Sequence, residues 1–169
     1  MRKYIISLLF VLMFGLFNPN IFAADLSTRF VDSEYGYSIN YPQNWNAKIN
    51  RSGMVLADIN SQNNQAGLQI RITESDKPLG AFVENYIEQF KQDMQAQLLT
   101  QESIKINKIQ AYAISFIANR RGNDYMLLNY IVPDEQTGRV FIFQAGTPYI
   151  LRYEILPVLD AIVGSFKLN

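Results

Sequence analysis

Two periods organise the apolar positions of this chain. The two-residue period comes first: Tyr37, Ile39 and Tyr41 alternate with Ser38 and Asn40, Gly36 permits a turn before them, and Pro42 ends the run. Trp45, the only tryptophan, follows at once, as a core anchor or a platform on which a ligand stacks. Phe30 and Val31 form an edge piece beside this central strand. Met54 to Ile59 is a compact apolar stretch, and the polar tract from Ser61 to Gln65 reads as an exposed loop. Leu68, Ile70 and Ile72 then alternate with Gln69, Arg71 and Thr73, which predicts a strand with one wet face.

The helical period takes over after Asp76-Lys77-Pro78. Proline suits a first helical turn, and an aspartate just before it can cap free N–H groups. Leu79, Phe82, Val83, Tyr86, Phe90, Met94 and Leu98 recur at spacings of three and four, so a helix is expected over 79–98 with Glu88 and Lys91 able to pair. A second helical region spans Tyr149 to Phe166, with Leu151, Ile155, Leu156, Leu159, Ile162, Val163 and Phe166 on its apolar stripe. Pro157 interrupts it, which predicts a kink or a fresh start, and Gly164 marks its end.

Between the helices, the segments 103–107, 110–119, 125–132 and 139–145 are separated by turn signals and read as consecutive hairpins. Tyr112, Ile114 and Phe116 share one face of the second segment, yet Ala111, Ala113 and Ile117 on the other face are apolar too. Strands apolar on both faces need cover on both sides. The two helices are therefore expected on opposite faces of one antiparallel sheet, with Tyr37, Ile39, Tyr41, Trp45, Phe82, Phe90 and Phe166 in the core.

The order of these pieces, with Tyr35-Gly36-Tyr37-Ser38-Ile39, Tyr41-Pro42, Trp45 and the closing Gly164-Ser165-Phe166-Lys167, resembles the PsbP/Mog1/DcrB-like superfamily over nearly all of the chain after its first residues. Asn44 departs from it, standing where the family commonly has glycine. The resemblance implies an α+β fold, a three-layer α/β/α sandwich around an antiparallel sheet. It also implies a role in binding other proteins, with no catalytic site common to the members; since a fold does not fix a function, this is analogy.

The first residues read differently. Arg2 and Lys3, the apolar run Ile5 to Phe17 and the small-residue exit Ala23-Ala24 match a cleaved secretory signal, expected to be residues 1–23. Gly15, Asn18, Pro19 and Asn20 break the run short of the ~20 apolar residues of a membrane span. Residues 24–169 then form a single domain, large enough to fold without disulfides. The signal holds two of the fifteen basic residues and none of the fifteen acidic ones, so 24–169 carry a formal charge of −2. That speaks against nucleic acid as a partner. Without a cysteine there is no lipobox thiol, and no stable membrane anchor is expected after signal cleavage.

Chemistry is narrowed by what is missing. With no histidine and no cysteine, His-dependent triads, thiol nucleophiles and the common zinc and haem sites are excluded, and no cofactor or metal is expected. Asp32 with Glu34 and Asp134 with Glu135 fall in expected turns, where solvated acids are ordinary and calcium is the alternative. Arg120-Arg121-Gly122-Asn123 is the concentrated charge signal after the export segment. It is either a solvated hairpin tip or, with nearby Tyr125, a docking element for a partner. No catalytic residue is assigned. The leading expectation is an exported, non-enzymatic accessory or chaperone-like protein that binds another protein in the periplasm or at the cell surface. The alternative is a small-ligand binder or a carboxylate-dependent hydrolase of the envelope.

Overall fold

Strand β2 (Tyr37–Tyr41) lies between β1 (Thr28–Asp32) and β10 (Lys167–Leu168), antiparallel to both, in a three-stranded sheet. The computed structural model describes residues 25–169, and the expected signal over 1–23 lies outside the described residues. The central strand therefore does not join the main sheet, contrary to the expectation of a single one. A second sheet has seven antiparallel strands in the order β3-β4-β5-β9-β8-β7-β6. These strands are β3 (Trp45–Ile49), β4 (Val55–Ser61), β5 (Gly67–Glu74), β6 (Ala96–Ile106), β7 (Ile109–Arg120), β8 (Asn123–Asp134) and β9 (Arg139–Pro148). The turn into β3 is closed by Trp45 N–H donating to the Pro42 carbonyl at 2.9 Å.

Helix α1 (Leu79–Met94) follows β5, and helix α2 (Arg152–Gly164) follows β9 through a 3-10 turn at Tyr149–Leu151. The pleat sends Val140 and Ile142 toward α1 and Phe141, Phe143 and Ala145 toward α2. Val83, Ile87 and Phe90 of α1 close one core with Ile114, Phe116 and Ile131. Leu159, Ile162 and Val163 of α2 close the other, which also takes in Tyr37, Ile39 and Trp45. The architecture is α+β in three layers, and the small sheet and α2 together make up the third.

Both helices end sooner than their stripes suggest. Gln95 adopts the left-handed conformation at φ 47° and its N–H closes onto the Gln92 and Lys91 carbonyls, so α1 stops at Met94 and Leu98 belongs to β6. Its start differs too. Pro78 precedes the first helical residue and no side chain caps the N-terminus, so Asp76 does not serve as the cap. Glu88 and Lys91 do pair, at 2.9 Å. In α2, Pro157 sits inside a continuous helix rather than starting a new one. It lies on the exposed side of the helix, as does Tyr153 one turn back, whose carbonyl loses the Pro157 N–H as a partner. Phe166 falls beyond the helix end, buried between the layers.

Among the expected core residues, Tyr37, Ile39, Trp45, Phe90 and Phe166 are buried, and Tyr41 and Phe82 are half-buried against the two cores. The Phe166 ring meets Tyr37, Phe141 and Phe143 at centroid distances of 5.8, 5.2 and 4.9 Å. Asp32 corrects an expectation. It is 2% exposed rather than solvated, accepts the Glu34 and Tyr35 N–H groups, and pairs with Arg51 at 2.8 Å. Arg51 also reaches Glu34 and the Leu56 carbonyl, and its guanidinium lies 5.0 Å from the Tyr35 ring centroid. Burial, reinforced by the Asp32 carboxylate, pushes the Tyr37 phenol well above its ordinary value.

Candidate functional site

One end of the large sheet gathers the residues that the sequence singled out. The β7–β8 hairpin turns through Arg121 at φ 53° and Gly122 at φ 82°, and left-handed geometry at two successive positions makes a tight turn whose twist matches its strands. Asn119 fastens it by accepting the Gly122 N–H at 3.1 Å and donating to Asp124 at 2.8 Å. Arg120 and Arg121 are both exposed, but they are not equivalent. The Arg120 guanidinium donates to the Met94 carbonyl at 2.9 Å, satisfying one of the free acceptors at the C-terminus of α1. Tyr125 is half-buried and stands opposite Ala118 on one side and Pro148 on the other.

Pro148 leads directly into a cluster at the start of the region expected to be helical. Arg152 is held between two tyrosine rings, 3.8 Å from the Tyr149 centroid and 4.0 Å from that of Tyr153. It also donates to the Tyr149 carbonyl and the Tyr153 hydroxyl, both at 2.8 Å. Beside it Ile150 is 84% exposed and Tyr153 77% exposed. A rigid guanidinium and aromatic stack flanked by an uncovered isoleucine has the composition of the centre of a protein interface rather than of an ordinary surface.

A second feature lies on the α1 face of the sheet. The helix covers the β6–β7–β8 side, where the floor is apolar, and leaves the β4–β5 side open. The resulting groove of about 220 Å³ is walled by Phe82, Tyr86 and Phe90 and floored by Arg71, Ile142 and Gln144. Phe82 stacks on Tyr86 and Tyr86 on Phe90, at 6.4 and 5.6 Å between centroids, because they follow one another at i, i+4 along the helix. Arg71 donates to the Gln144 Oε1 at 3.0 Å, and the Gln144 Nε2 donates to the Tyr86 hydroxyl at 2.8 Å. Burial pushes the Tyr86 phenol up to about 12, against the pull of Gln144 and of the Arg71 charge, so the hydroxyl keeps its proton at neutral pH.

In the groove the acids do not converge. Asp93 is the carboxylate lining the groove, so two carboxyls do not face each other there as glycoside hydrolysis requires. Asp134 closes its own turn by accepting the Gln136 N–H and the Thr137 hydroxyl. Among the described residues no group of three or more potential metal ligands comes together, and no helix is long and apolar enough to cross a membrane.

The PsbP family profile matches residues 26–168. The chain belongs to the PsbP family. In fold it is similar to the solution structure of cyanobacterial PsbP, CyanoP, from Synechocystis sp. PCC 6803, with a TM-score of 0.68 at 18% identity over 84% of this chain and 92% of that one. It is also similar to the Ran-binding protein Mog1p of Saccharomyces cerevisiae, with a TM-score of 0.63 at 8% identity over 83% and 94% of the two chains. A third is LpqN of Mycobacterium tuberculosis, described as involved in cell envelope biogenesis, with a TM-score of 0.61 at 12% identity over 84% and 90%. No curated protein matches the sequence. At these identities the solved structures share the PsbP fold with this chain, and nothing finer.

Within this PsbP-family chain, two groups of residues escaped the sequence reading. Tyr149, Ile150, Arg152 and Tyr153 fall within the helical region expected over 149–166 but off its apolar stripe, although a run dense in tyrosine and arginine is itself a signal. Arg71, Tyr86 and Gln144 come from three elements and meet only in the folded chain; the one hint was an arginine on the wet face of β5.

Proposed function

We propose that this protein is an exported, non-enzymatic accessory protein that binds another protein of the cell envelope through the sheet end carrying Tyr149, Ile150, Arg152 and Tyr153, with Arg121 and Tyr125 at its rim. The observation that carries the reading is the exposure of Ile150 and Tyr153 beside an Arg152 stacked between two tyrosine rings. Uncovered aromatic and aliphatic side chains around an ordered arginine lose little rotamer freedom when a partner docks, which favours a strong contact. Export is supported by the charged start, apolar run and small-residue exit of residues 1–23. The description of LpqN as involved in cell envelope biogenesis supports an envelope role, and that of Mog1p as a Ran-binding protein supports protein binding, both by analogy of fold.

The test is cross-linked capture from the native envelope, followed by reconstitution with the purified partner. Wild-type protein should bind the partner, and the double substitution Ile150→Ala with Tyr153→Ala should weaken binding at least tenfold while circular dichroism is unchanged. Undiminished binding by that folded variant overturns the surface assignment. N-terminal sequencing of the envelope protein should begin at Ala24, and a start at Met1 overturns the export reading.

A further inference from the structure

We propose that the groove between α1 and the open side of the sheet is a binding site for a small aromatic carboxylate, with Arg71 and Tyr86 holding the carboxylate group. The groove is a different surface from the sheet end and does not depend on the docking role assigned there.

The charge argues first. Arg71 is half-buried at the groove floor, and among the described residues no carboxylate pairs with it. The acids on neighbouring elements are otherwise placed. Asp58 accepts the amides of Gln69 and Asn50 at 3.0 and 2.7 Å, and exposed Asp93 lines the groove from the last turn of α1. A guanidinium partly out of water with no carboxylate within ion-pair distance lacks the close partner that normally repays its desolvation. Its protein acceptor is one neutral amide oxygen, which leaves the rest of its donor fork for a ligand.

The geometry argues second. Gln144 bonds Arg71 with one end of its amide and Tyr86 with the other, so the guanidinium and the phenol stand one amide apart. The Tyr86 oxygen is already an acceptor from Gln144, which frees its O–H to donate elsewhere. Two donors so spaced can each take one oxygen of the same carboxylate, a forked arrangement that a single lysine does not offer.

The walls decide the body of the ligand. Phe82, Tyr86 and Phe90 form one continuous aromatic surface at i, i+4 spacing, and Ile142 closes the floor opposite. A flat ring offset against that wall gains stacking as well as burial. A volume of about 220 Å³ holds roughly ten non-hydrogen atoms at interior packing density, the size of a single ring with a short acid arm. The same chemistry has two sources, a free aryl acid or the C-terminal carboxylate of a peptide ending in phenylalanine.

The full chain is titrated by calorimetry and by chemical shift with phenylacetate, and in parallel with its neutral isostere phenylacetamide. Phenylacetate should bind at least tenfold more tightly and shift the Gln144 side-chain amide resonances, because Gln144 bridges the two donors. Arg71→Met should lose that preference, and Tyr86→Phe, which keeps the ring, should weaken phenylacetate several-fold. A tetrapeptide ending in phenylalanine, compared with its C-terminal amide, identifies the source. Tighter binding of the free-acid peptide than of phenylacetate points to a protein C-terminus, and the reverse points to a free acid. Equal binding of phenylacetate and phenylacetamide, or no binding of either acid to the wild type, overturns the proposal even if Arg71→Met fails to fold.

Discussion

Replacing Phe166 by alanine should come close to unfolding the protein. The ring is 0% exposed and wedged between three aromatic neighbours at 4.9 to 5.8 Å, contributed by β2 and β9, while its backbone N–H is held by the Val163 carbonyl of α2. Truncation of a buried phenylalanine costs about 3 to 5 kcal/mol, depending on how far the site can collapse. Collapse is restricted here, because β2, β9 and α2 are each fixed by other contacts, and the edge-on packing against Phe143 adds about 1 kcal/mol beyond simple burial. The expected loss is about 4 to 5 kcal/mol, a large share of a total stability of roughly 5 to 15 kcal/mol. Phe166→Leu keeps most of the volume and should lose only about 1 to 2 kcal/mol. Urea denaturation followed by Trp45 fluorescence measures both. With a slope of about 2 kcal/mol per molar, the alanine midpoint should fall by roughly 2 M at unchanged slope. A loss below about 1 kcal/mol for alanine, or a leucine variant as unstable as the alanine one, would refute the view that this ring joins the layers.

Two further outcomes follow from buried charge and buried phenols. Arg51→Ala should cost about 2 to 3 kcal/mol because it strands the Asp32 carboxylate, 1% exposed, whereas Glu34→Ala, at the 67% exposed end of the same cluster, should cost under about 0.5 kcal/mol; thermal melts that rank the two equally would overturn this. Tyr37, Tyr86 and Tyr130 are all raised above the ordinary tyrosine value, chiefly by burial. In the unfolded chain they release protons first, so the stability they contribute is fully present below about pH 10 and is lost as the pH rises from there through the folded values. Urea midpoints taken between pH 7 and pH 12 should stay level up to about 10 and then drop; a midpoint that rises above pH 10 would contradict the burial of these phenols.

The parts legible in the sequence were those with a local cause. The hairpins, the strand Tyr37–Tyr41 and the body of α1 each announced themselves through a period and a turn residue. The errors arose where two periods agreed by coincidence. Leu98 follows Met94 at a helical spacing, so the stripe ran on through Gln95, which takes the left-handed conformation although it is not a glycine. Strand β6 was underestimated because Thr100, Gln101 and Glu102 lie exposed on a sheet edge, with no apolar face to show. Asp32 looked like a solvated turn acid because its partner, Arg51, is 19 residues away and only the folded chain brings them together. The groove was illegible for the same reason, since Arg71, Tyr86 and Gln144 are joined by tertiary geometry and by no motif.

The pairing of β2 with β10 imposes an order of assembly. Ser38 bonds to Asn169, 131 residues later, and the Asn169 N–H closes onto the Gly36 carbonyl at 2.8 Å. Closing so long a loop is entropically expensive and is rewarded only after the intervening sheet has shortened it. The meander β6–β7–β8–β9 can zip from neighbouring hairpins while residues 28–41 remain an isolated two-stranded ribbon, marginal by itself. During synthesis that ribbon must wait, with Phe30, Tyr37 and Ile39 uncovered, until Phe166 and β10 emerge from the ribosome. The layer built on β2 therefore stays open until β10 has been made, whatever the order in which the hairpins of the large sheet close.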